Sequence, residues 1–511
     1  MPTSVQTRPE PVAAPGVACP PAAAPDGAST GTATGPASAG AAPAEHASAG
    51  TASAENADDR PGERPLLALV GATTPVPLLD GTSRPYTNLD NAASTPALEA
   101  VATRVQEVLP LYASVHRGAG YLSQLSTALY EGSRRTIAEF VDARPDDVAV
   151  LTRNTTDSLN LLAGCVPPGG RVLVLDLEHH ANLLPWLGDE DDHDRPRATV
   201  LPAAPTVAGT LAAIRDELAR APYALLAITG ASNVTGEALP LPEVVTLAHA
   251  AGTRVVVDGA QLVPHRRVSL AGTDVDWIAF SGHKTYAPFG AGALVGRRDW
   301  LDEGRPHLAG GGAVRDVRTD GATWHPAPAR HEAGSPNVLG AVALAQACET
   351  LAALPEGALH AHETALREHL VAGLASVDGV RVARLWEDAA DPVGVVTFTV
   401  PGHDPGLVAA YLSAEHGIGL RDGRFCAHPL LARLGASGGA LRASVGVGST
   451  LADVDRLVAG LHGFLADGPG TRYAVVDGCW TVAQDTRPAP TGYGVDAIAA
   501  TAAAACGPAP A

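Results

Sequence analysis

Lysine is almost absent from this chain of 511 residues: Lys284 is the only one, and every other member of the 35 Lys and Arg residues is arginine. Arginine stays protonated and suits ion pairs, whereas a buried lysine can lose its proton and act as a nucleophile or form an imine. The excess of Ala, Gly, Pro and Arg also allows one lysine to remain by composition alone. The residues around Lys284 are therefore needed to distinguish a chemical role from the chance presence of a single lysine.

The chain also lacks paired cysteines, basic blocks and long apolar runs. None of its six cysteines stands in a C-x-x-C pair, which argues against a disulfide framework or a zinc site and favours a reducing compartment. A net charge of −19 without a basic segment argues against nucleic-acid binding. No apolar run reaches membrane-spanning length, and no basic region followed by an apolar one opens the chain. We therefore predict a soluble cytoplasmic protein without a metal, a nucleic-acid partner or a membrane anchor.

Composition divides the chain into four parts. Residues 1–64 are rich in Ala, Pro, Gly, Ser and Thr and poor in large apolar side chains, which predicts a disordered tail. Residues 65–340 are predicted to form a large α/β domain, whose N-terminal segment contributes to a smaller second domain. Residues 341–468 are predicted to form that α+β domain, and residues 469–511 a C-terminal extension that is largely disordered.

Short apolar runs alternate with helical patterns, such as those at 211–220 and 241–251, along the large domain. Because the runs are apolar throughout, they are typical of parallel strands covered on both faces. The runs are DVAVLT (147–152), RVLVLDL (171–177), YALLAIT (223–229), TRVVVD (253–258) and VDWIAF (275–280). The second domain shows helical patterns near 338–354, 358–376, 405–416 and 451–466, and strands near 380–385, 394–400 and 441–447.

Polar residues follow each of the predicted strands of the large domain. Ligands of open α/β sheets bind beyond the carboxyl ends of the strands, so these residues are expected to converge. A helix N-terminus binds phosphate, an aspartate pairs with a pyridine nitrogen, an imidazole stacks on a ring, and an amine forms an imine. Each residue alone has an ordinary structural explanation, but together they match what pyridoxal phosphate (PLP) requires. They are Thr155 or Thr156, His179, Asn233, Asp258 with Gln261, and Ser281 with His283 and Lys284.

Longer stretches extend this pattern over most of the chain. They are LDNAASTP (89–96), VHRGAGYLS (115–123), TRNTTDSLNLLA (152–163), EHHANLLPW (178–186), SNVTGEALPL (232–241), VDGAQLVPH (257–265), DWIAFSGHKTYAPFGAGAL (276–294), RHEAGSPNVLG (330–340), RDGRFCAHPLL (421–431) and LRASVGVGST (441–450). From about residue 86 to residue 466 the chain resembles the class V aminotransferases of fold type I, and within them the group II cysteine desulfurases and selenocysteine lyases. The resemblance implies an α/β fold with a large, mostly parallel sheet, a smaller α+β C-terminal domain, PLP as cofactor, and a homodimer with composite sites.

The resemblance also implies a role for each matching residue. Lys284 would bind the cofactor aldehyde and act in catalysis, Asp258 would pair with the pyridine nitrogen, and Arg442 would bind the substrate α-carboxylate. Further cofactor contacts would be Gln261 at the ring hydroxyl, Asn233 near the substrate and the ring hydroxyl, and Thr155, Thr156, Ser281 and His283 at the phosphate. His179 would stack on the ring and also act in catalysis. Ser335 would reach the cofactor phosphate of a partner subunit, and His116, Arg117 and Arg421 would lie near the substrate.

Cys426 is the residue that separates the reactions of this family. It stands where desulfurases carry the cysteine that attacks the substrate sulfur, which predicts that L-cysteine becomes L-alanine and that a persulfide on Cys426 awaits a sulfur-acceptor protein. A lone cysteine is more often a small buried residue. Desulfurases usually have a histidine just before this cysteine, where the chain has Phe425, although Arg424 and His428 are nearby. The alternative is a class V aminotransferase, C–S lyase or epimerase that acts on another amino acid or amine.

Overall fold

A computed structural model describes residues 60–116, 118–187 and 197–488 of the chain. The predictions for residues 1–59 and 489–511 therefore lie outside the described residues. Within the described ranges, no helix combines the length and the apolar character needed to cross a bilayer.

The bounds of the elements are as follows, in chain order. The strands are β1 Pro75–Pro77, β2 Ser83–Pro85, β3 Thr87–Asn88, β4 Val148–Thr152, β5 Arg171–Leu175, β6 Arg197–Leu201, β7 Leu225–Thr229, β8 Arg254–Asp258, β9 Trp277–Ser281, β10 Gly292–Gly296, β11 Val314–Arg318, β12 Gly321–Trp324, β13 Arg381–Val382, β14 Val395–Thr399, β15 Ile418–Gly419, β16 Arg421–Gly423, β17 Ala440–Ser444, β18 Tyr473–Val476 and β19 Cys479–Val482. The helices are α1 Glu99–Val108, α2 Tyr121–Phe140, α3 Thr155–Ala163, α4 His180–Leu183, α5 Val207–Arg220, α6 Leu241–Ala250, α7 Leu270–Thr273, α8 Asp299–Glu303, α9 Val338–Ala352, α10 Ala358–Ala375, α11 Pro405–His416, α12 His428–Arg433 and α13 Leu451–Asp467.

A seven-stranded sheet, in the order β4-β10-β9-β8-β7-β5-β6, forms the centre of the large domain. Strand β10 is antiparallel to both of its neighbours, and the remaining pairs are parallel. The predicted runs correspond to β4, β5, β7, β8 and β9, so the α/β fold with a mostly parallel sheet is confirmed. Two further strands of the sheet were not predicted: β6, a partly exposed edge strand, and β10, which begins and ends in glycine.

Both faces of this sheet are buried, which explains why its strands are apolar throughout. Leu173 and Leu175 of β5 pack into one hydrophobic cluster, and the alternate residues Val172 and Val174 pack into another. Side chains of a strand point alternately to its two faces, so each face needs its own set of apolar residues. Helices therefore cover the sheet on both sides, and the strand ends are left to form a site.

A four-stranded antiparallel sheet, in the order β13-β14-β17-β16, forms the second domain together with α10, α11 and α13. The helices predicted for this region are present as α9, α10, α11 and α13. A segment from the N-terminal side joins this domain: β3 pairs in parallel with β15, and the Ser444 N–H donates to the Leu89 carbonyl at 2.7 Å. Strand β16 leads directly into the segment that carries Cys426.

A β-hairpin of β18 and β19 follows α13, within the extension that the sequence analysis expected to be largely disordered. Its turn is Asp477-Gly478, with φ values of 50° and 80°, which is the dipeptide that two-residue hairpin turns prefer. The Tyr473 hydroxyl donates to the Glu415 carboxylate on α11 at 2.9 Å. This hairpin corrects the expectation of disorder for residues 473–482. The Asp-Gly dipeptide between the runs YAVV and CWTV is a recognisable hairpin signal.

Candidate active site

A cavity of about 400 Å³ lies beyond the carboxyl ends of the large sheet, between the two domains. Strand ends of an open α/β sheet commonly form such a site, because successive loops converge there. The predicted site residues that line the cavity are Thr155, Thr156, His179, Asn233, Asp258, Gln261, Ser281, His283, Lys284, Arg421, Cys426 and Arg442.

Lys284 and Asp258 form the charged centre of the cavity. Lys284 ends a short 3-10 turn, Gly282–Lys284, directly after β9, and Asp258 is the last residue of β8. Burial lowers the pKa of Lys284 to about 8, although the nearby Asp258 carboxylate opposes this shift. Burial raises the pKa of Asp258, while the Ala260 N–H, which donates to its Oδ1 at 3.0 Å, and the charge of Lys284 lower it. A buried amine that readily loses its proton is what imine chemistry requires.

The N-terminus of α3 provides an anion-binding corner of the cavity. The Thr155 N–H donates to Ser281 Oγ at 2.8 Å, and the two hydroxyl oxygens lie 2.7 Å apart. Asn154 caps the helix by accepting the Asp157 N–H at 3.0 Å. A Cβ added to Gly292 of β10 would lie 2.7 Å from the Asn154 Cα, so only glycine permits this close approach. Hydroxyl groups and free N–H groups at a helix N-terminus favour a phosphate.

His179 lies on the loop after β5, and a neighbouring carboxyl group stabilises that loop. The Ala181 N–H donates to His179 Nδ1 at 3.0 Å, which leaves the proton of the neutral ring on Nε2. Burial lowers the pKa of His179 to about 3, so the ring is neutral. Glu178, which the sequence analysis did not assign, accepts hydrogen bonds from Asn182 Nδ2 at 2.7 Å and the Thr229 N–H at 3.1 Å. Burial raises the pKa of Glu178 to about 8.

Residues from the segment before α1 close one side of the cavity. Gln261 Nε2 donates to the Ala92 carbonyl at 2.7 Å, and the Thr95 N–H donates to the His283 carbonyl at 2.8 Å. Ala92 and Ala93 themselves line the cavity. No role was predicted for these two alanines, although their segment matched the family, because Ala92 contributes through its backbone carbonyl.

Arg442 lies on β17 and is buried, with a mere 3% of its surface exposed. Its Nη1 donates to the Asn233 carbonyl at 3.0 Å and its Nη2 to Asp90 Oδ1 at 3.1 Å, and its guanidinium carbon lies 5.0 Å from the centroid of the Phe425 ring. Its Nε is buried without a hydrogen-bond partner among the described residues. Arg421 is opposite Arg442 in the β16–β17 pair. Asp90, to which no role was predicted, pairs with Arg442, and the charges of Arg442 and Arg421 lower its pKa against the larger effect of burial, which raises it.

Cys426 follows Phe425 on a segment with unusual backbone geometry, since both residues have φ of 51°. The Phe425 carbonyl accepts the Asn233 Nδ2 at 2.8 Å, and the Cys426 carbonyl accepts the His180 N–H at 2.8 Å. These two bonds attach the segment to the large domain. The ring of His428 lies 4.5 Å from the ring of His180, and neither histidine lines the cavity.

Two predicted site residues are not in this cavity. His116 has φ of 64° and is exposed, and its Nε2 lies 2.9 Å from Glu131 Oε1. It lines a separate cavity of about 330 Å³ together with both sequence neighbours of Ser335, which is itself exposed. Arg117 lies outside the described residues.

The residues of the main cavity fit the groups of PLP. The buried amine of Lys284 suits the aldehyde, the corner at α3 suits the phosphate, and Asp258 suits the pyridine nitrogen. Across the described ranges, no group of three or more His, Cys, Asp and Glu side chains is placed to hold a metal ion. The fold and the site together define a PLP-type enzyme of the α/β class.

Comparison with known families gives the assignment. The family model described as Aminotransferase class-V matches residues 87–457. The chain belongs to the class V aminotransferase family, whose members are PLP-dependent enzymes.

The relatives include several cysteine desulfurases. The chain is 37% identical over 409 residues to a cysteine desulfurase of Dickeya dadantii, covering 77% of this chain and 95% of the relative. It is 38% identical over 379 residues to the cysteine desulfurase CsdA of Escherichia coli, covering 72% of this chain and 92% of the relative. The crystal structure of that CsdA in an S-sulfonic acid form aligns with a TM-score of 0.66 at 36% identity, covering 74% and 94% of the two chains. The apo cysteine desulfurase of Thermococcus onnurineus aligns with a TM-score of 0.66 at 31% identity and the same coverage.

Proposed function

We propose that this protein is a cysteine desulfurase, which converts L-cysteine to L-alanine and retains the sulfur as a persulfide on Cys426. The observation that carries the proposal is that Cys426 lines the same cavity as Lys284 and Arg442. A transaminase, a C–S lyase or an epimerase needs the lysine and the arginine but has no use for a cysteine there. The relatives that bear the name cysteine desulfurase support the same choice.

PLP is the cofactor in this proposal, and the residues of the cavity divide its binding among them. When bound, it would withdraw electrons from the α-carbon of the amino acid. Lys284 would hold its aldehyde, Asp258 its pyridine nitrogen and Gln261 its ring hydroxyl, with the neutral ring of His179 stacked on it. Thr155, Thr156, Ser281 and His283 would bind the phosphate, and Asn233 would lie near the substrate and the ring hydroxyl.

Arg442 is the residue that we assign to the substrate α-carboxylate, with Arg421 at the entrance of the site. Arg442 lines the cavity, and its guanidinium has five N–H donors, of which the Asn233 carbonyl and Asp90 accept one each, so donors remain for a bound carboxylate. Nη2 donates a hydrogen bond to Asp90, and Nη1 donates one to the Asn233 carbonyl. The arginine is therefore oriented before the substrate arrives, which reduces the entropy lost on binding.

Two side chains carry the reaction itself. Lys284, released from the cofactor aldehyde when the substrate amino group takes its place, would in its neutral form remove the α-proton of the substrate as a general base. The thiolate of Cys426 then attacks the substrate sulfur, so that a sulfur–sulfur bond forms as the bond between the substrate sulfur and its β-carbon breaks. The β-carbon takes up a proton, Lys284 returns a proton to the α-carbon, and L-alanine leaves. The persulfide then passes its outer sulfur to an acceptor protein or a small thiol.

We also propose that the protein is a homodimer and acts in the reducing cytoplasm. His116 and the neighbours of Ser335 line one surface cavity away from the site of their own chain, which suits residues that complete the site of a second subunit. No disulfide joins the described cysteines, as is usual in a reducing compartment.

The direct test is a measurement of products from L-cysteine. The purified protein with PLP, L-cysteine and a thiol reductant is expected to release L-alanine and sulfide in equal amounts, because each turnover moves one sulfur atom to Cys426. Alanine is measured by amino-acid analysis and sulfide colorimetrically. Pyruvate and ammonia in place of alanine would instead identify a C–S lyase, and amino transfer to an added 2-oxo acid would identify a transaminase.

The pKa of Lys284 predicts how fast the cofactor-free protein takes up PLP at different pH values. Because burial lowers this pKa to about 8, the nucleophilic neutral amine becomes the main form as the pH rises through that value. The rate of covalent attachment, followed by absorbance after PLP is added, should rise with an inflection near pH 8. In Asp258→Asn the inflection should move to lower pH, because the carboxylate that favours the charged amine is gone. An inflection at about 10, as for an exposed lysine, would contradict this prediction.

A further inference from the structure

The Phe425 ring is buried against the cation that is assigned to the substrate carboxylate. The ring is 5% exposed, and the guanidinium carbon of Arg442 lies 5.0 Å from its centroid. An arginine within about 6 Å of an aromatic ring centroid is attracted by the electrons of the ring face, most strongly where water is excluded. The ring therefore restricts where the Arg442 guanidinium can lie.

The main chain of Phe425 is held by the same neighbours. The Asn233 side chain donates to the Phe425 carbonyl at 2.8 Å, while the Asn233 carbonyl accepts the Arg442 Nη1 at 3.0 Å. Phe425, Asn233 and Arg442 thus form a closed set of three mutual contacts. The next residue along the chain is Cys426, so the proposed nucleophile is joined by a peptide bond to a member of this set.

The backbone at these positions needs such support. Phe425 and Cys426 both have φ of 51°, in the left-handed region that residues with a side chain rarely adopt. A strained conformation of this kind persists because surrounding contacts hold it. The contacts are the ring of Phe425 on Arg442, the bond from Asn233, and the His180 N–H that donates to the Cys426 carbonyl at 2.8 Å.

We propose that Phe425 is a positioning residue that links the substrate-binding guanidinium of Arg442 to the placement of Cys426. Its ring orients Arg442, and through the adjacent peptide the same contact holds Cys426 in its strained conformation. The aromatic side chain thus has a role of its own at the position where similar enzymes have a histidine. The proposal rests on the proposed function, because it takes Arg442 as the carboxylate-binding residue and Cys426 as the nucleophile.

The test compares Phe425→Leu, which removes the ring, with Phe425→Tyr, which keeps it, in the full-length protein with PLP bound. Two measurements are made: the dissociation constant of L-alanine, from the visible absorbance of the cofactor, and the rate at which iodoacetamide alkylates Cys426, from peptide mass spectrometry. We expect Phe425→Leu to weaken L-alanine binding by about threefold to thirtyfold, the range of a cation–π contact. Alkylation of Cys426 should become at least about threefold faster, because the segment loses a contact that holds it. Phe425→Tyr should stay within about twofold of the parent protein in both measurements.

Several results would overturn the proposal. If Phe425→Leu matched the parent in both measurements, the ring would only fill space; if one quantity changed alone, the link between the two residues would be disproved. A Phe425→Tyr protein as impaired as Phe425→Leu would also exclude an aromatic role. Should Phe425→Leu fail to fold, as judged by circular dichroism, Phe425→Met replaces it as a ringless variant of similar volume. Neither measurement requires sulfur transfer, so a failure of the desulfurase proposal would be recognised separately by the absence of alanine and sulfide from L-cysteine.

Discussion

Replacing Lys284 with alanine is expected to reduce alanine formation from L-cysteine by at least about a thousandfold, because both the covalent attachment of PLP and the general base are lost. The parent protein, reduced with borohydride in the presence of PLP, should carry the cofactor on the peptide that contains residue 284. The chain has no other lysine, so no second side-chain amine competes for the label. The variant should carry no label on any side-chain amine, as determined by peptide mapping.

Lys284→Arg is the matched control for charge. It keeps a cation beside Asp258, but a guanidinium stays protonated and forms no imine under these conditions. The arginine protein should therefore fold and bind PLP reversibly, yet be as inactive as the alanine protein. Either variant with full activity, or a stable covalent adduct in the arginine protein, would refute the assignment of Lys284 and with it the whole site.

Cys426→Ser should reduce sulfide and alanine formation by at least about a hundredfold while the cofactor spectrum stays like that of the parent. A hydroxyl is a much weaker nucleophile than a thiolate, whereas none of the groups assigned to PLP is altered. Mass spectrometry of the parent, quenched during turnover without a reductant, should show one additional sulfur atom on the peptide that contains Cys426.

The matched control for cysteine chemistry is Cys479→Ser. Cys479 lies in the terminal hairpin and is 9% exposed, away from the cavity. The Cys479→Ser protein should release sulfide at a rate within about twofold of the parent, as expected for a substitution outside the reacting groups. Equal rates for Cys426→Ser and the parent would exclude the persulfide route and favour transamination or C–S lysis on the same scaffold.

Local patterns were sufficient to predict most of the central sheet. The strands β5, β7 and β8 are apolar on both faces, and each is followed by a residue of the site, so both the strand and its polar end could be recognised. Strand β10 could not be recognised in this way, because its glycines suggest a turn. It forms a strand because it pairs with β4 and β9. The hairpin of β18 and β19 was predictable from the Asp-Gly turn between its runs YAVV and CWTV.

Roles that depend on contacts between distant segments were not predictable from the pattern alone. Asp90 pairs with Arg442 although 352 residues separate them. Glu178 looked like one more polar residue at a strand end, and its burial became evident only in the folded structure. His116 was expected near the substrate from its match to the family, yet it lines a separate cavity and not the one that contains Lys284.

The amino-acid sequence by itself determined the fold family, the cofactor chemistry around Lys284 and the position of the candidate nucleophile. The parallel sheet and the amine site follow from strand periodicity, strand-end residues and a unique lysine, which are encoded locally. The family and the candidate nucleophile follow from the resemblance of longer motifs to the class V aminotransferases. The tertiary structure alone decided how Asn233, Phe425 and Arg442 surround one another, and which groups accept hydrogen bonds from the arginine. Hydrogen bonds and ring contacts require atoms to lie within a few ångströms, and only the packing of the two domains brings these three segments that close.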